Sequence, residues 1–551
     1  RRRHTRFKCD WSSDVCSSDL GLMQLVAYGA QDVYLTGQPQ ITFFKVVYRR
    51  HTNFSVEPIQ QTFQGAAEFG RTVTCNVNRN GDLITNMYLV ATLKSGARSG
   101  WGYVSRLGHA MIESCKIEVG GSKIDEQYGD WLNVWYELTR NSFHDRGYSQ
   151  MIGDVDSLKS IGAPSTTSEF TMYVPLCFWF NRNNGLALPL IALQYHDVRV
   201  TMKLREAADL VNYTGTSVPA AVNNDLMKDA YLLIDYVYLD SEERKRFAQA
   251  AHEYLIEQVQ FTGDETYNAS NLKYRLNFNH PSKYLVWNVL KTRFSGKNSW
   301  LAWAFNGDWA AAKERFAKYL WLATRGDFAV NGAGVYSIAM TDGTFEVGDV
   351  PTAAAGLSTA VTALLAKVDA QLLFSAAAGG AANSAAASAE NVVILRNELT
   401  NEDLNLTLSE LTAGMAATPV AFLTANSYSV RDYHNYSDTP TGTGNPVKTA
   451  KLQLNGHDRF TTRDGNYFNY VQPYQHFSNT PADGINVYSF ALKPEDHQPS
   501  GTCNFSRIDN TTLNIESTYS NTADDGVTKV YAVNYNVFRV MSGMGGLAYS
   551  N

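Results

Sequence analysis

Much that would mark an enzyme, a membrane protein or a nucleic-acid binder is missing from this chain of 551 residues. No apolar run reaches the ~18 residues a spanning helix requires. Of six cysteines, Cys9 and Cys16 fall in an atypical leader, and Cys75, Cys115, Cys177 and Cys503 stand far apart with no C-x-x-C pair. That spacing lacks the paired thiolates of a zinc site, and reads as buried thiols in a reducing compartment. The eleven histidines are scattered, with no H-E-x-x-H and no His-x-His pair, so no metal-ligand set is expected. There is no G-x-S-x-G nucleophile elbow. Nothing marks Asp235/Asp240 or Asp524/Asp525 as an acid–base couple. No long basic block follows residue 20 and the net charge is −6, which disfavours the cationic face needed to neutralise phosphates. The expectation is therefore no catalytic residues, no cofactor and no metal: not an enzyme.

What is present is β-type material. The hydrophobic fraction is 44 % and the aromatic fraction 12 %, with 31 Tyr and 26 Phe, in a chain too long for one core. Short β-branched or aromatic runs are bounded by Gly, Asn and Asp. Examples are Ile41–Tyr48, Thr72–Val77, Met87–Leu93, Phe170–Phe180, Leu188–Leu204 and Tyr231–Leu239, and later His252–Phe261, Leu272–Phe278, Tyr284–Leu290, Ile485–Leu492, Thr512–Glu516 and Val530–Val540. This is the signature of a sandwich or jelly roll.

One pattern occurs twice. Lys116-Ile117-Glu118-Val119-Gly120-Gly121-Ser122, followed by Tyr128, Trp131 and Trp135, matches Lys451-Leu452-Gln453-Leu454-Asn455-Gly456-His457, followed by Tyr467, Phe468 and Tyr470. Tyr173–Leu176 then matches Tyr488–Leu492, and Gln194–Asp197 matches Ser506–Asp509, in the same order. Two β domains of one design suggest a building block, because duplication adds symmetry and no chemistry by itself.

The expected organisation follows from these marks. Residues 1–22 resemble a translated adaptor, with Met23 as the expected start. Residues 23–42 are an extended arm, 43–240 the first barrel, 241–246 a junction with Ser241 capping a helix, 247–540 the second barrel, and 541–551 a flexible tail. A short helix is expected at Trp131–Thr139. Residues 291–447 break the β rhythm: Trp309–Thr324 is helical in period, and Leu364, Leu365, Val368, Leu372 and Leu373 form one helical face. Gly543-Met544-Gly545-Gly546-Leu547-Ala548 satisfies a dinucleotide pattern, but that motif requires a strand before it and a helix after it. It is read as close-packing tail.

Long strings resemble the major capsid proteins of nucleocytoplasmic large DNA viruses, with a likeness to the algal-virus branch. They are Leu25–Gly37 with Pro39–Lys45 and Tyr48–Arg50, Asn80–Ile84, Gly185–His196, His252–Gln258, Tyr488–Pro494, Gln498–Asp509 and Asn536–Gly546. The resemblance implies an all-β double jelly roll, a homotrimeric capsomer, and an icosahedral shell lying over an inner membrane that the chain itself does not span. It also implies minor capsid proteins as partners, a location in the virion, and assembly in the host cytoplasm. Three chains of two similar barrels make six similar lobes, which suit a hexagonal lattice. The insertion 291–447 is expected in the loop between the fourth and fifth strands of the second barrel, a loop that faces outward in the family and suits host contact. Asn405 and Asn435 are then expected as exposed glycan sites, with Asn268 a further candidate among seven sequons. Residues 23–40 and 541–551 are expected to contact neighbours at the capsomer base. The competing reading is a jelly-roll carbohydrate-binding protein or hydrolase, with Trp300, Trp303, Trp309 and Trp321 as sugar platforms.

Overall fold

Two eight-stranded barrels with the same strand order fill most of the computed structural model. It describes residues 25–295 and 428–549 apart from short gaps, with isolated strands between 298 and 407. In the first barrel the strands are β1 (Phe54–Thr62), β2 (Thr72–Asn76), β3 (Leu83–Leu93), β4 (Ile112–Val119), β5 (Ser122–Tyr128), β6 (Phe170–Pro175), β7 (Val198–Leu204) and β8 (Met227–Leu239). In the second they are β9 (His252–Tyr267), β10 (Asn271–Leu276), β11 (Pro281–Lys291), β12 (Val447–Leu454), β13 (His457–Asp458), β14 (Asn486–Ser489), β15 (Thr511–Ser517) and β16 (Gly526–Met541).

The sheets are β1-β8-β3-β6 and β2-β7-β4-β5 in the first barrel, and β9-β16-β11-β14 and β10-β15-β12-β13 in the second. Both are jelly rolls, antiparallel throughout. The repeat extends to single residues. Val198 pairs with Val119 and Met202 with Cys115, and at the equivalent places Thr511 pairs with Leu454 and Ile515 with Ala450. The turn after β4 is Gly120-Gly121 and the turn after β12 is Asn455-Gly456. All four residues have positive φ (59°, 80°, 50° and 82°), as a two-residue type I′ hairpin demands.

Burial follows position. In β7, Val198, Val200, Met202 and Leu204 alternate inward with exposed or half-buried neighbours. β16 and β11 are buried on both faces, because the second barrel's core lies on one side and the first barrel on the other. That is why their sequences read as continuous apolar runs instead of alternating. Further along β16, Phe538 and Val540 join the first barrel's core.

Several expectations need correction. Ile41–Tyr48 is not a strand. Residues 25–53 belong to a separate unit that includes the short helix Val33–Thr36, and Ile41, Phe43, Phe44, Val46, Val47 and Tyr48 are exposed. The first strand is instead Phe54–Thr62, which carries Pro58. Proline cannot donate to a ladder, and β1 tolerates it as an edge strand paired only with β8. The junction helix Ser241–Gln249 is capped by Asp240, whose carboxylate accepts from the Ser241 N–H at 2.6 Å. The insertion leaves after the third strand of its barrel and returns before the fourth. The helix expected at Trp309–Thr324 and the face Leu364–Leu373 lie outside the described residues. The described backbone within the insertion includes two three-stranded antiparallel sheets, 329–347 and 374–407.

The tail is not flexible either. Met544–Leu547 folds back on β16 as a hairpin strand and docks on the first barrel. The Tyr195 N–H donates to the Gly543 carbonyl at 3.0 Å, and the Gly545 N–H donates to His196 Nδ1 at 3.2 Å. A Cβ on Gly543 would lie 2.6 Å from the Tyr195 ring, and one on Gly545 2.5 Å from Leu193. The glycines at this place serve close approach, not a nucleotide. Truncation after Met541 is expected to cost roughly 1–3 kcal/mol from lost apolar cover and hydrogen bonds. Thermal unfolding checks this, and an unchanged midpoint would contradict the docking.

Candidate functional site

The chemically dense region of the molecule is the seam where the first barrel meets β9, β11 and β16. Its centre is aromatic. Trp131, on helix α2 (Gly129–Thr139) after β5, is fully buried. It lies 6.5 Å from Tyr284 of β11 and 5.4 Å from Tyr531 of β16, ring centre to ring centre. Tyr531 in turn stacks on Phe261 at 4.8 Å, and Phe261 meets Tyr128 at 5.0 Å. Tyr284 and Tyr531 reach the seam because they alternate with Leu285, Trp287, Val530 and Ala532, which point into the second barrel.

Buried charge surrounds that centre. Asp130 pairs with Lys529, both side chains nearly closed to solvent. Burial pushes the Asp130 carboxyl up, but Lys529 and Arg205 outweigh it and hold it below its ordinary range. On the flank, Glu257 of β9 accepts from Arg182 of the first barrel at 3.0 Å and from Lys283 of β11 at 2.7 Å. Arg182 also lies 4.0 Å over the Trp135 ring. Lys283 is fully buried. Burial lowers its ammonium's pKa while Glu257 works against that shift. Asp125 accepts from the Val259 N–H at 3.1 Å, and burial raises its carboxyl to about 7. Asp125 and Gln258 stitch β5 to β9, since Gln258 donates to the Ile124 carbonyl.

A second contact is made by the stem of the insertion. Asn298–Trp300 and Tyr428–Val430 pair with each other, and the latter pairs with Val211–Thr214 of the first barrel, which pairs with Trp101–Tyr103. Trp101–Tyr103 belongs to the first barrel's own connection between third and fourth strands. The equivalent loops of both barrels therefore share one end of the molecule. Arg431 fixes the stem, donating to Asp209 at 2.6 Å through its guanidinium and to Asn212 at 2.6 Å through its backbone.

The candidate glycan sites separate on this geometry. Asn268 is exposed between β9 and β10. Asn435 is buried, and its Oδ1 accepts from the Ser437 N–H at 3.1 Å and hydroxyl at 2.6 Å, so the exposure expected for it is wrong. Asn405 lies in the strand Asp403–Thr407. Trp303, Trp309 and Trp321 lie outside the described residues. Cys75, Cys115, Cys177 and Cys503 are free thiols, and burial pushes Cys75 and Cys177 up to about 11. His457-Asp458-Arg459 does not pair within itself: Asp458 accepts from Gln453 and Lys451. Among the described residues no cluster of three His, Cys, Asp or Glu could hold a metal ion. Nothing local in the sequence announces the Asp130–Lys529 pair, 399 residues apart. The available hint was a lysine inside an apolar run, at both Lys283 and Lys529.

The comparisons agree with this architecture. Residues 243–546 match the model of the large eukaryotic DNA virus major capsid protein, and residues 42–240 match that of the major capsid protein N-terminus. The major capsid protein of Phaeocystis pouchetii virus is 43 % identical, over 96 % of this chain and 99 % of its own. That of Paramecium bursaria Chlorella virus 1 is 38 % identical over the same shares. Capsid protein 1 of Acanthamoeba polyphaga mimivirus is 41 % identical, over 96 % of this chain and all of its own, so the likeness extends beyond algal viruses. The solved structure of PBCV-1 VP54, fitted into a reconstruction of the virophage Sputnik, aligns with a TM-score of 0.61 and 33 % identity, over 93 % of this chain and all of that one. These matches leave the carbohydrate-binding or hydrolase reading without support. The chain is a double jelly-roll protein that belongs to the major capsid proteins of large eukaryotic DNA viruses.

Proposed function

We propose that this chain forms homotrimeric, pseudo-hexagonal capsomers that tile the icosahedral shell of a virion. The observation that carries the reading is the duplicated register. One chain presents two lobes with the same strand order and the same residue pairing, so three chains supply six similar lobes. The role is mechanical, and no reaction is assigned. Exposed Phe54 and Val56 on edge strand β1 offer apolar surface for the contact between chains, which should bury more than ~2,000 Å² in total. The stem strands lie at the end shared by the two equivalent loops, which supports outward display of the insertion and contact with a host surface. The arm of residues 25–53, with its exposed apolar side chains, suits contact with minor capsid proteins near the virion membrane. Assembly in the host cytoplasm goes with free thiols, and no contact with nucleic acid is assigned.

Light scattering on the purified chain at micromolar concentration should give three times the chain mass. A stable monomer would overturn the proposal.

A further inference from the structure

Between the first barrel and the returning limb of the insertion lies a buried histidine pair that neither the barrel repeat nor the capsomer reading uses. His109 sits on the turn α1 (Leu107–Ala110) in the first barrel's connection between third and fourth strands, and is wholly buried. Its Nε2 is 2.7 Å from the Tyr148 hydroxyl on α3 (Asp145–Met151). His434 belongs to the limb 431–438 that leads from the insertion back to the second barrel. The two rings meet edge to face, 6.1 Å apart at 90°. Neither ring nitrogen of His434 has a hydrogen-bond partner, and both are sealed from solvent although the residue as a whole is only partly buried.

The surroundings hold charges of both signs. Arg106, beside α1, and Arg205, after β7, bring two guanidinium groups to the cluster. The carboxylates nearby have partners of their own, although Asp130 keeps Oδ1 without a hydrogen bond. Asp130 of α2 pairs with Lys529, and Glu137 of α2 pairs with Arg106 at 2.6 Å. Asp154 pairs with Lys159 at 3.0 Å and reaches Arg106 at 4.0 Å. Asp432, on the limb itself, accepts from the His434 backbone N–H at 3.1 Å. Tyr148, Tyr433 and Tyr436 are the titratable phenols of the cluster, and Tyr531 faces it across Asp130.

We propose that His109 and His434 form an acid-operated latch: as neutral rings they seat limb 431–438 on the first barrel, and their protonation releases it. Burial first, and the partner imidazole and Arg106 next, hold His109 well below its ordinary value. Burial takes His434 down to about 3 against the opposing pull of Asp130. A histidine whose pKa is lower in the closed form than in the open form contributes stability above about pH 6.5, and that stability is lost as pH falls below it. Burial pushes Asp432 the other way, so its protonation favours closure, and the histidine response must exceed it. The limb follows directly on the strand Tyr428–Val430, so its release loosens the stem that fastens the insertion to the first barrel.

The test is amide hydrogen exchange of the purified full chain at pH 7.5 and pH 5.0, corrected for the intrinsic pH dependence. Opening of 431–438 should rise about 30-fold at pH 5.0 for each histidine released, with β8 unchanged. The His109→Gln/His434→Gln variant should lose most of that rise. Equal protection of the limb at both pH values, or an undiminished rise in the variant, would overturn the latch. Should the variant not fold, exchange at the imidazole C2–H of the unaltered chain decides. Both rings must resist protonation at pH 5.0 in the closed form, and a midpoint near 6.5 for either refutes the proposal.

Discussion

Replacing Glu257 with Leu should destabilise the protein by about 3–5 kcal/mol, because it strands two cations in a seam that excludes water. Arg182 and Lys283 both lose their carboxylate, and the Lys283 side chain has no exposure through which to recover hydration. Arg182 retains the Cys177 carbonyl at 3.1 Å and the Trp135 face; Lys283 retains the Asp496 carbonyl at 3.3 Å and the face of Tyr535 at 5.1 Å, neither of which carries a full negative charge. The stranded lysine should therefore account for most of the loss. Glu257→Leu combined with Lys283→Met should recover a large part of it, since an apolar pair of similar volume can match a buried ion pair in stability. Thermal unfolding of the single and double variants reads the difference. A single variant as stable as the parent would mean that the seam is wet.

The ion cluster also shows where sequence reading stops. The barrels were legible because their signals are local. β7 alternates with period two, the hairpin turns carry Gly-Gly and Asn-Gly, and the repeated strings keep their order. β11 and β16 were legible as strands from their apolar runs, but not as surfaces buried on both faces. Lys283 and Lys529 inside those runs signal that something opposite must pair with them. Which residue does so depends on how two barrels dock, and the partners lie 26 and 399 residues away. The errors have the same origin. Pro58 argues against a strand unless the strand is known to be an edge, and an edge is a property of the sheet. The glycines of 543–546 resemble a loose tail or a phosphate loop until Tyr195 and Leu193 are seen against them. Asn435 satisfies a sequon, but its amide is used inside the fold.

Trp131→Ala should produce a qualitatively different defect from Trp287→Ala, although both indoles are buried and each truncation should cost about 3–5 kcal/mol. Trp287 packs on Phe468 at 5.1 Å within the second barrel's own core. Its loss weakens one barrel and leaves the docking surface intact. Trp131 belongs to the first barrel by sequence but fills the space between Tyr284 and Tyr531 of the second. Its loss leaves each barrel's core whole and removes the wedge that couples them. Calorimetry of the parent should show one cooperative transition, because neither barrel can unfold without exposing the other's seam face. Trp287→Ala should lower that transition. Trp131→Ala should split it in two, as barrels that no longer share a packed interface melt at their own temperatures. Trp131→Phe, which keeps an aromatic ring against both tyrosines, should restore a single transition. If Trp131→Ala instead shifts one intact transition as Trp287→Ala does, the aromatic centre contributes bulk to the seam but does not couple the barrels, and the buried ion pairs are left as the coupling.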